Sequence, residues 1–160
     1  MMLTYEKMEE KDIIELTGIM KRAFDKDSQI AFGCDGGPEG YDDGSFLRKW
    51  GFENGGFARK ILMDGETVGA YILFFSPDGK EGFLGTIFVE PGKHEQGIGT
   101  KTWADIEKEH PEVEVWRTET PGFSRRNHAF YVNKCGFSIV NIENPRDAQE
   151  ANYQMEKRMK

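Results

Sequence analysis

The stretch Phe83-Leu84-Gly85-Thr86-Ile87-Phe88-Val89-Glu90-Pro91-Gly92-Lys93-His94-Glu95-Gln96-Gly97-Ile98-Gly99-Thr100 decides how this chain is read. Phe83 to Glu90 is a strand, closed by Pro91-Gly92. From Gly97 to about His110 the pattern is helical, and Pro111 stops it. A strand thus feeds a short loop, and two glycines open a helix. Helix N-termini present unpaired N–H groups and a partial positive charge, which suit phosphate. Glycine lets a ligand approach the backbone closely. Gly97-Ile98-Gly99 lacks both the third glycine of a dinucleotide fingerprint and the lysine of a P-loop. Alone, it is equally a plain strand-to-helix turn.

A second constellation is Asn127-His128-Ala129-Phe130-Tyr131-Val132-Asn133-Lys134-Cys135-Gly136-Phe137. Ser124 is placed to cap a helix running to about Cys135, and Gly136 ends it. Asn127 and Tyr131 stand at i and i+4, so they share a face. Helical spacing turns Ala129, Val132 and Cys135 or Gly136 toward the core. A polar pair beside a packed face is what a small-molecule site needs. The same residues also suit an ordinary half-buried tyrosine and a helix-end asparagine.

Working outward, residues 11 to 24 form an amphipathic helix, with Ile13, Leu16, Met20 and Phe24 at helical spacing. Residues 33 to 56 break that pattern with Gly33, Gly36, Gly37, Gly40, Gly44, Gly51, Gly55 and Gly56, interleaved with Tyr41, Phe46, Trp50 and Phe52. Such a segment predicts an ordered surface loop, with a short helix near Ser45 to Trp50. Loops of this length are uncommon unless functional or disordered. Phe57 to Met63 and Glu66 to Phe75 flank Asp64-Gly65, a strong hairpin signal. Pro77-Asp78-Gly79-Lys80 is a further turn. Val113 to Thr118 is a strand, and Phe137 to Ile142 and Asn152 to Met155 are two more. The order is helix, three antiparallel strands, helix, strand, helix, two strands. It describes one α/β domain with a mixed sheet.

Composition agrees. A chain of 160 residues suits one domain and buries roughly 70% of its unfolded surface. Twelve Phe are too many for a disordered chain. No apolar run approaches the ~20 residues that span a bilayer, and the first residues hold no apolar signal region. Cys34 and Cys135 make no disulfide framework, and His94, His110 and His128 are too scattered to complete a zinc set. The expectation is a cytoplasmic protein without metal. Net charge is −7, from 28 acidic and 21 basic residues, which disfavours nucleic acid and leaves room for a cationic partner.

Taken together, the two constellations resemble the GNAT superfamily of N-acetyltransferases. The shared pattern is a strand ending in Val-x-Pro, a loop with G-x-G, a helix, a strand, and then N-x-x-F-Y-x-x-x-G-F. The motifs cover about Phe83 to Val140, and the element order extends the likeness over nearly the whole chain. The resemblance implies a central mixed sheet of about seven strands, mostly antiparallel and splayed at the fourth, with about four helices in a single domain, 1–160. It implies acetyl-CoA as cosubstrate and a primary amine of a small molecule or peptide as acceptor, joined by direct attack in a ternary complex. Backbone near Ile87, Phe88 and Val89 would pair with the acetyl-pantetheine arm like an added strand. Amides of His94, Glu95, Gln96, Gly97, Ile98, Gly99 and Thr100 would hold the pyrophosphate. Asn127 matches the asparagine that contacts the pantetheine arm, and Tyr131 the tyrosine that protonates the departing thiolate. Arg125 and Arg126 are in reach of a phosphate. One departure stands out: His94 occupies the family's Gln/Arg position, and Lys93 beside it could compensate.

The chemistry needs a neutral amine. A lysine-like amine with pKa ~10.4 is neutral in about one molecule in 2500 at pH 7, a cost of ~4.6 kcal/mol. A base offsets part of that. Glu90 and Glu119 each end a strand, and the sequence does not choose between them. In this family the segment before the second strand shapes acceptor choice. The 33–56 loop carries Asp35, Glu39, Asp42, Asp43 and Glu53 against Arg48 and Lys49, with Tyr41 and Trp50 able to flank a cation. That favours a cationic acceptor such as a polyamine, an aminoglycoside-like amine or a basic peptide end. The rival reading is an acyl-CoA-binding sensor or subunit with no turnover. The resemblance also admits a homodimer.

Overall fold

A computed structural model describes residues 1–159, apart from the side chains of His94 and Glu95. The chain begins with β1 (Leu3–Lys7), a 3-10 turn (Glu10–Asp12) and α1 (Ile13–Phe32). After a loop come α2 (Ser45–Arg48), a π-helical turn (Lys49–Glu53), β2 (Phe57–Met63), β3 (Glu66–Phe75) and β4 (Glu81–Val89). A 3-10 segment (Pro91–Gln96) leads into α3 (Ile98–Glu109), then β5 (Val115–Pro121) and α4 (Arg125–His128). A second π-helical turn (Ala129–Lys134), β6 (Ser138–Glu143) and β7 (Asn152–Arg158) complete it. The strands form a seven-stranded mixed sheet in the order β1-β2-β3-β4-β5-β7-β6. β4 and β5 run parallel, whereas β1–β2, β2–β3, β5–β7 and β6–β7 are antiparallel.

Near the start of the chain, two elements depart from the sequence reading. The first is β1, which periodicity does not reveal. It is a short edge strand in which no residue is fully buried, held by pairing from Leu3↔Met63 to Lys7↔Arg59. The second is α1, which runs on from Phe24 to Phe32. In that extension only Ser28 is buried, so the apolar stripe fades while the backbone hydrogen bonds continue. The helix ends where Gly33 takes φ 73°, a left-handed turn that suits glycine.

The contacts divide into two compact units. One comprises Met1–Leu73 and Thr86–Thr102, and its core is built on Met8, Ile13, Leu16, Met20, Leu47, Ile61 and Ile72. The other comprises Phe74–Gly85 and the chain from Trp103 onward. Fully buried Trp116 centres its core, edge-on to Trp103 at 5.1 Å and to Phe75 at 5.9 Å. Among the described residues no helix is long and apolar enough to cross a membrane.

Candidate active site

In the first unit, β4 carries the residues expected to meet a cofactor arm. Its ladder with β5 covers Glu81↔Val115 to Leu84↔Thr118, and β4 then continues to Val89. Phe88 and Val89 are buried and Ile87 is half-buried, so the apolar side chains anchor the strand and leave its backbone as the usable surface. Gly69 on β3 lets that backbone come close. A Cβ there would run into the Phe88 carbonyl oxygen and lie 3.1 Å from Phe88 C and Val89 Cα.

Gly97 ends the 3-10 segment with φ 76°, and its carbonyl accepts the Lys101 N–H at 3.0 Å. That is the first α-helical bond, so the N–H groups of Ile98, Gly99 and Thr100 have no intrahelical acceptor. Ile98 is fully buried and pins the turn, while Gln96, Gly97 and Thr100 are exposed. First-turn amides at a helix N-terminus suit a pyrophosphate. The side chains of His94 and Glu95 lie outside the described residues.

Glu90 follows β4. Its N–H donates to Val68 O at 2.8 Å and its carbonyl accepts from Lys93 N at 2.9 Å. Its carboxylate is held by Arg22 of α1: Nε reaches Oε1 at 3.1 Å and Oε2 at 3.0 Å, and Nη2 reaches Oε1 at 2.8 Å. Nothing local in the sequence announces Arg22, which is 68 residues away.

The glycine-rich loop is fastened to the same helix. Asp25 accepts from Lys21, from the Tyr41 hydroxyl and from Gly36 N–H at 3.2 Å. Burial alone would raise the Asp25 pKa, but Lys21, Tyr41 and Gly36 outweigh it and hold the carboxyl below its ordinary value. Burial and the Asp25 carboxylate push the Tyr41 phenol upward. The rings expected to flank a cation already meet the chain's own: Lys21 Nζ lies 6.0 Å from the Tyr41 centroid and Lys49 Nζ 4.8 Å from that of Trp50. Asp43 accepts from Ser45, and Arg48 pairs with Glu10 at 2.7 Å.

In the second unit, β5 and the α4 segment hold the other motif. Ser124 caps α4, its Oγ accepting the Asn127 N–H at 3.4 Å. The helix then widens to π winding at Ala129–Lys134. That correction matters for facing: Ala129 and Val132, expected in the core, are exposed, while Tyr131 and Cys135 are buried. Hydrogen bonds of i→i+5 type rotate each residue away from its α-helical position. Tyr131 packs on Phe130 at 5.1 Å and Phe137 at 5.9 Å, and its hydroxyl contacts Thr118. Thr118 donates its own proton to Leu84 O at 2.8 Å. Burial, then nearby Cys135, push the Tyr131 pKa well above the ordinary tyrosine value. A turn of Thr118 toward the phenolate would work the other way.

Asn127 donates through Nδ2 to Thr120 Oγ1 at 3.1 Å. The match is one of spacing. Residues four apart on a helix advance ~6 Å, and residues two apart on a strand ~6.8 Å. Thr118 and Thr120, on one face of β5, therefore receive Tyr131 and Asn127. Sequence reasoning missed both threonines, although the alternation of Trp116, Thr118 and Thr120 carried the signal. Glu119 points to the opposite face, is exposed, and accepts from Asn152 Nδ2 at 2.8 Å.

A profile of the acetyltransferase (GNAT) family matches residues 21–137. The chain belongs to this family. The uncharacterized protein YrkN of Bacillus subtilis (strain 168) is 35% identical over 140 residues, spanning 87% of this chain and 75% of that protein. Among solved structures, the PaiA N-acetyltransferase of Thermoplasma acidophilum in complex with coenzyme A superposes with a TM-score of 0.76. It is 14% identical, with 99% of each chain covered. A spermidine N-acetyltransferase SpeG chimera from Vibrio cholerae and hSSAT superposes with a TM-score of 0.70 at 13% identity, covering 98% of this chain and 95% of that one. At such identities the likeness is one of fold, and it gives this GNAT chain the seven-stranded mixed sheet of its neighbours.

Proposed function

We propose that this GNAT protein moves an acetyl group from acetyl-CoA to a primary amine of a small molecule or peptide, by direct attack in a ternary complex. The observation that carries the reading is the first turn of α3, where Gly97 turns the chain at φ 76° and the amides of Ile98, Gly99 and Thr100 have no intrahelical acceptor, one 3-10 segment after the cofactor strand. In this reading those amides, with the backbone from His94 to Gln96, hold the pyrophosphate. The backbone of Ile87, Phe88 and Val89 pairs with the pantetheine arm, Asn127 contacts that arm, and acetyl-CoA supplies the activated acyl group as a thioester.

The amine gives its proton to a carboxylate, directly or through one water. Its freed lone pair forms the new C–N bond at the acyl carbon as the C–S bond breaks, the nitrogen sheds its second proton to water, and the thiolate takes a proton from Tyr131. Both side chains recover by exchange with solvent. Tyr131 is protonated at neutral pH, as a proton donor requires. A backbone amide of Phe88 or Val89 faces the negative charge that develops on the acyl oxygen. Of the two carboxylates, Glu90 is favoured over Glu119: its backbone is fixed at both ends, and Glu119 turns away from the β5 face that Tyr131 uses. The acidic 33–56 loop favours a cationic acceptor, and a structural neighbour named as a spermidine N-acetyltransferase points the same way. The protein acts away from the membrane, in the cytoplasm.

Thermal-shift titration with acetyl-CoA, with ATP as control, tests the reading. At 100 times its dissociation constant a ligand stabilises by about 2.7 kcal/mol, or about 5–10 °C in Tm for this length. An equal shift with ATP, or none with acetyl-CoA at millimolar concentration, refutes acetyl-CoA use. With binding shown, Tyr131→Phe should lower amine-dependent thiol release and spare acetyl-CoA affinity. A chain that binds acetyl-CoA but releases no thiol with any primary amine is a sensor rather than an enzyme.

A further inference from the structure

We propose that Arg22 is a positioning residue for acetyl transfer, and that it acts solely by aiming the Glu90 carboxylate. This rests on the acetyltransferase reading above. Three features make the pair a built device. Its geometry is side-on, with Nε shared between both oxygens and Nη2 on Oε1 at 2.8 Å. The backbone of Glu90 is clamped by Val68 and Lys93, so once the carboxylate is held no part of the residue is free to swing. Finally, α1 places Gly18 one turn before Arg22. A Cβ at Gly18 would lie 3.3 Å from Arg22 Nη1, tighter than most Cβ contacts, so the glycine leaves a lane for the guanidinium.

Stability is a poor explanation for this arrangement. The side chains of Arg22 and Glu90 are 56% and 29% exposed, and pairs this open to water contribute little to folding. A glycine inside a helix is itself unfavourable, yet Gly18 sits there. Orientation is what the arrangement provides. Oε1 takes two donors and Oε2 one, which leaves Oε2 with a lone pair for the proton that leaves the amine. Lysine could neutralise Glu90 but could not hold it side-on, because an ammonium lacks the planar fork.

A double-mutant cycle on the full chain tests this, using Arg22→Gln, Arg22→Lys, Glu90→Gln and the double variant Arg22→Gln/Glu90→Gln. Each is assayed for acetyl-CoA affinity by calorimetry and for kcat and KM with spermidine, a lysine peptide and a peptide N-terminus as probe amines. Arg22→Gln should lower kcat about 10- to 100-fold with acetyl-CoA affinity unchanged within about twofold, and Arg22→Lys should fall between it and wild type. The double variant should be no slower than Glu90→Gln alone, since a residue acting through another adds nothing once that other is gone. Additive losses, or an Arg22→Gln effect on melting temperature or KM with kcat intact, overturn the inference while acetyl transfer stands. If Arg22→Gln does not fold, Arg22→Lys with and without Glu90→Gln completes the same cycle. A wild-type chain that turns over none of the probe amines refutes the transfer reading and this inference with it.

Discussion

Replacing Gly69 by alanine asks whether the backbone at the end of β4 matters for the chemistry. Gly69 sits beside an irregularity in β3: pairing with β2 passes from Ile61↔Gly69 to Leu62↔Thr67, leaving Val68 as an extra residue. Such a bulge bends the strand and increases its local twist. An added Cβ would overlap the Phe88 carbonyl oxygen, with Phe88 C and Val89 Cα each at 3.1 Å. All three atoms are backbone, so no side-chain rotation can relieve the overlap, and β4 must retreat by about 1 Å. Overpacking of this kind costs about 1–3 kcal/mol. Alanine returns ~0.4–1 kcal/mol by restricting the unfolded chain. The net is a loss of up to about 2.5 kcal/mol, or up to about 10 °C in Tm at this chain length. The catalytic effect should be larger in proportion. Phe88, Val89 and Glu90 move together, and a misplacement of about 1 Å can cost about 100-fold in rate. Melting curves and steady-state kinetics, each with and without acetyl-CoA, measure both effects. A Gly69→Ala protein that melts higher than wild type refutes the packing argument. One that melts lower yet keeps its kcat refutes the placement of the reaction at the end of β4.

Two further outcomes follow from single side chains. Asp25→Asn removes the charge that fastens the glycine-rich loop to α1 and should destabilise by about 1.5–3 kcal/mol at pH 7. Because the Asp25 carboxyl titrates lower in the folded chain than its ordinary value of 3.8, its stabilisation is present above that value and fades as pH falls below it. Urea titrations from pH 7 to pH 3 should show the gap between wild type and variant closing on the acid side, and a constant gap argues against the ionic latch. Ser124→Ala removes the cap of α4 and should cost about 1 kcal/mol in thermal denaturation. Ser124→Asp should recover most of it, and no loss in Ser124→Ala would show that the cap bond is idle.

Much of the molecule is legible in the sequence because its signals are local. The hairpin about Asp64-Gly65 and the strand-to-helix turn at Gly97 each follow from backbone rules acting on a few adjacent residues. The strands Phe57–Met63 and Glu66–Phe75 fall where the sequence puts them. The family motifs are legible for the same reason: each lies within one strand, loop or helix turn. Where local signals weaken, the reading shortens or fails. The far end of α1 buries only Ser28, and β1 owes its existence to its partner β2.

What only the tertiary structure decided is which of these local pieces meet. Alpha-helical periodicity put Ala129 and Val132 inside; the π winding, sustained by packing around Tyr131 and Phe137, put them outside. No local rule predicts that Arg22 grips Glu90, that Gly69 makes room for Phe88, or that Thr118 and Thr120 receive Tyr131 and Asn127. Each joins residues at least seven positions apart, and most join residues much farther apart. Their distances depend on how elements pack, while sequence periodicity reports only which face of an element is apolar. The chain alone therefore determined the elements and the family, and folding determined the aim of the side chains that the proposed chemistry uses.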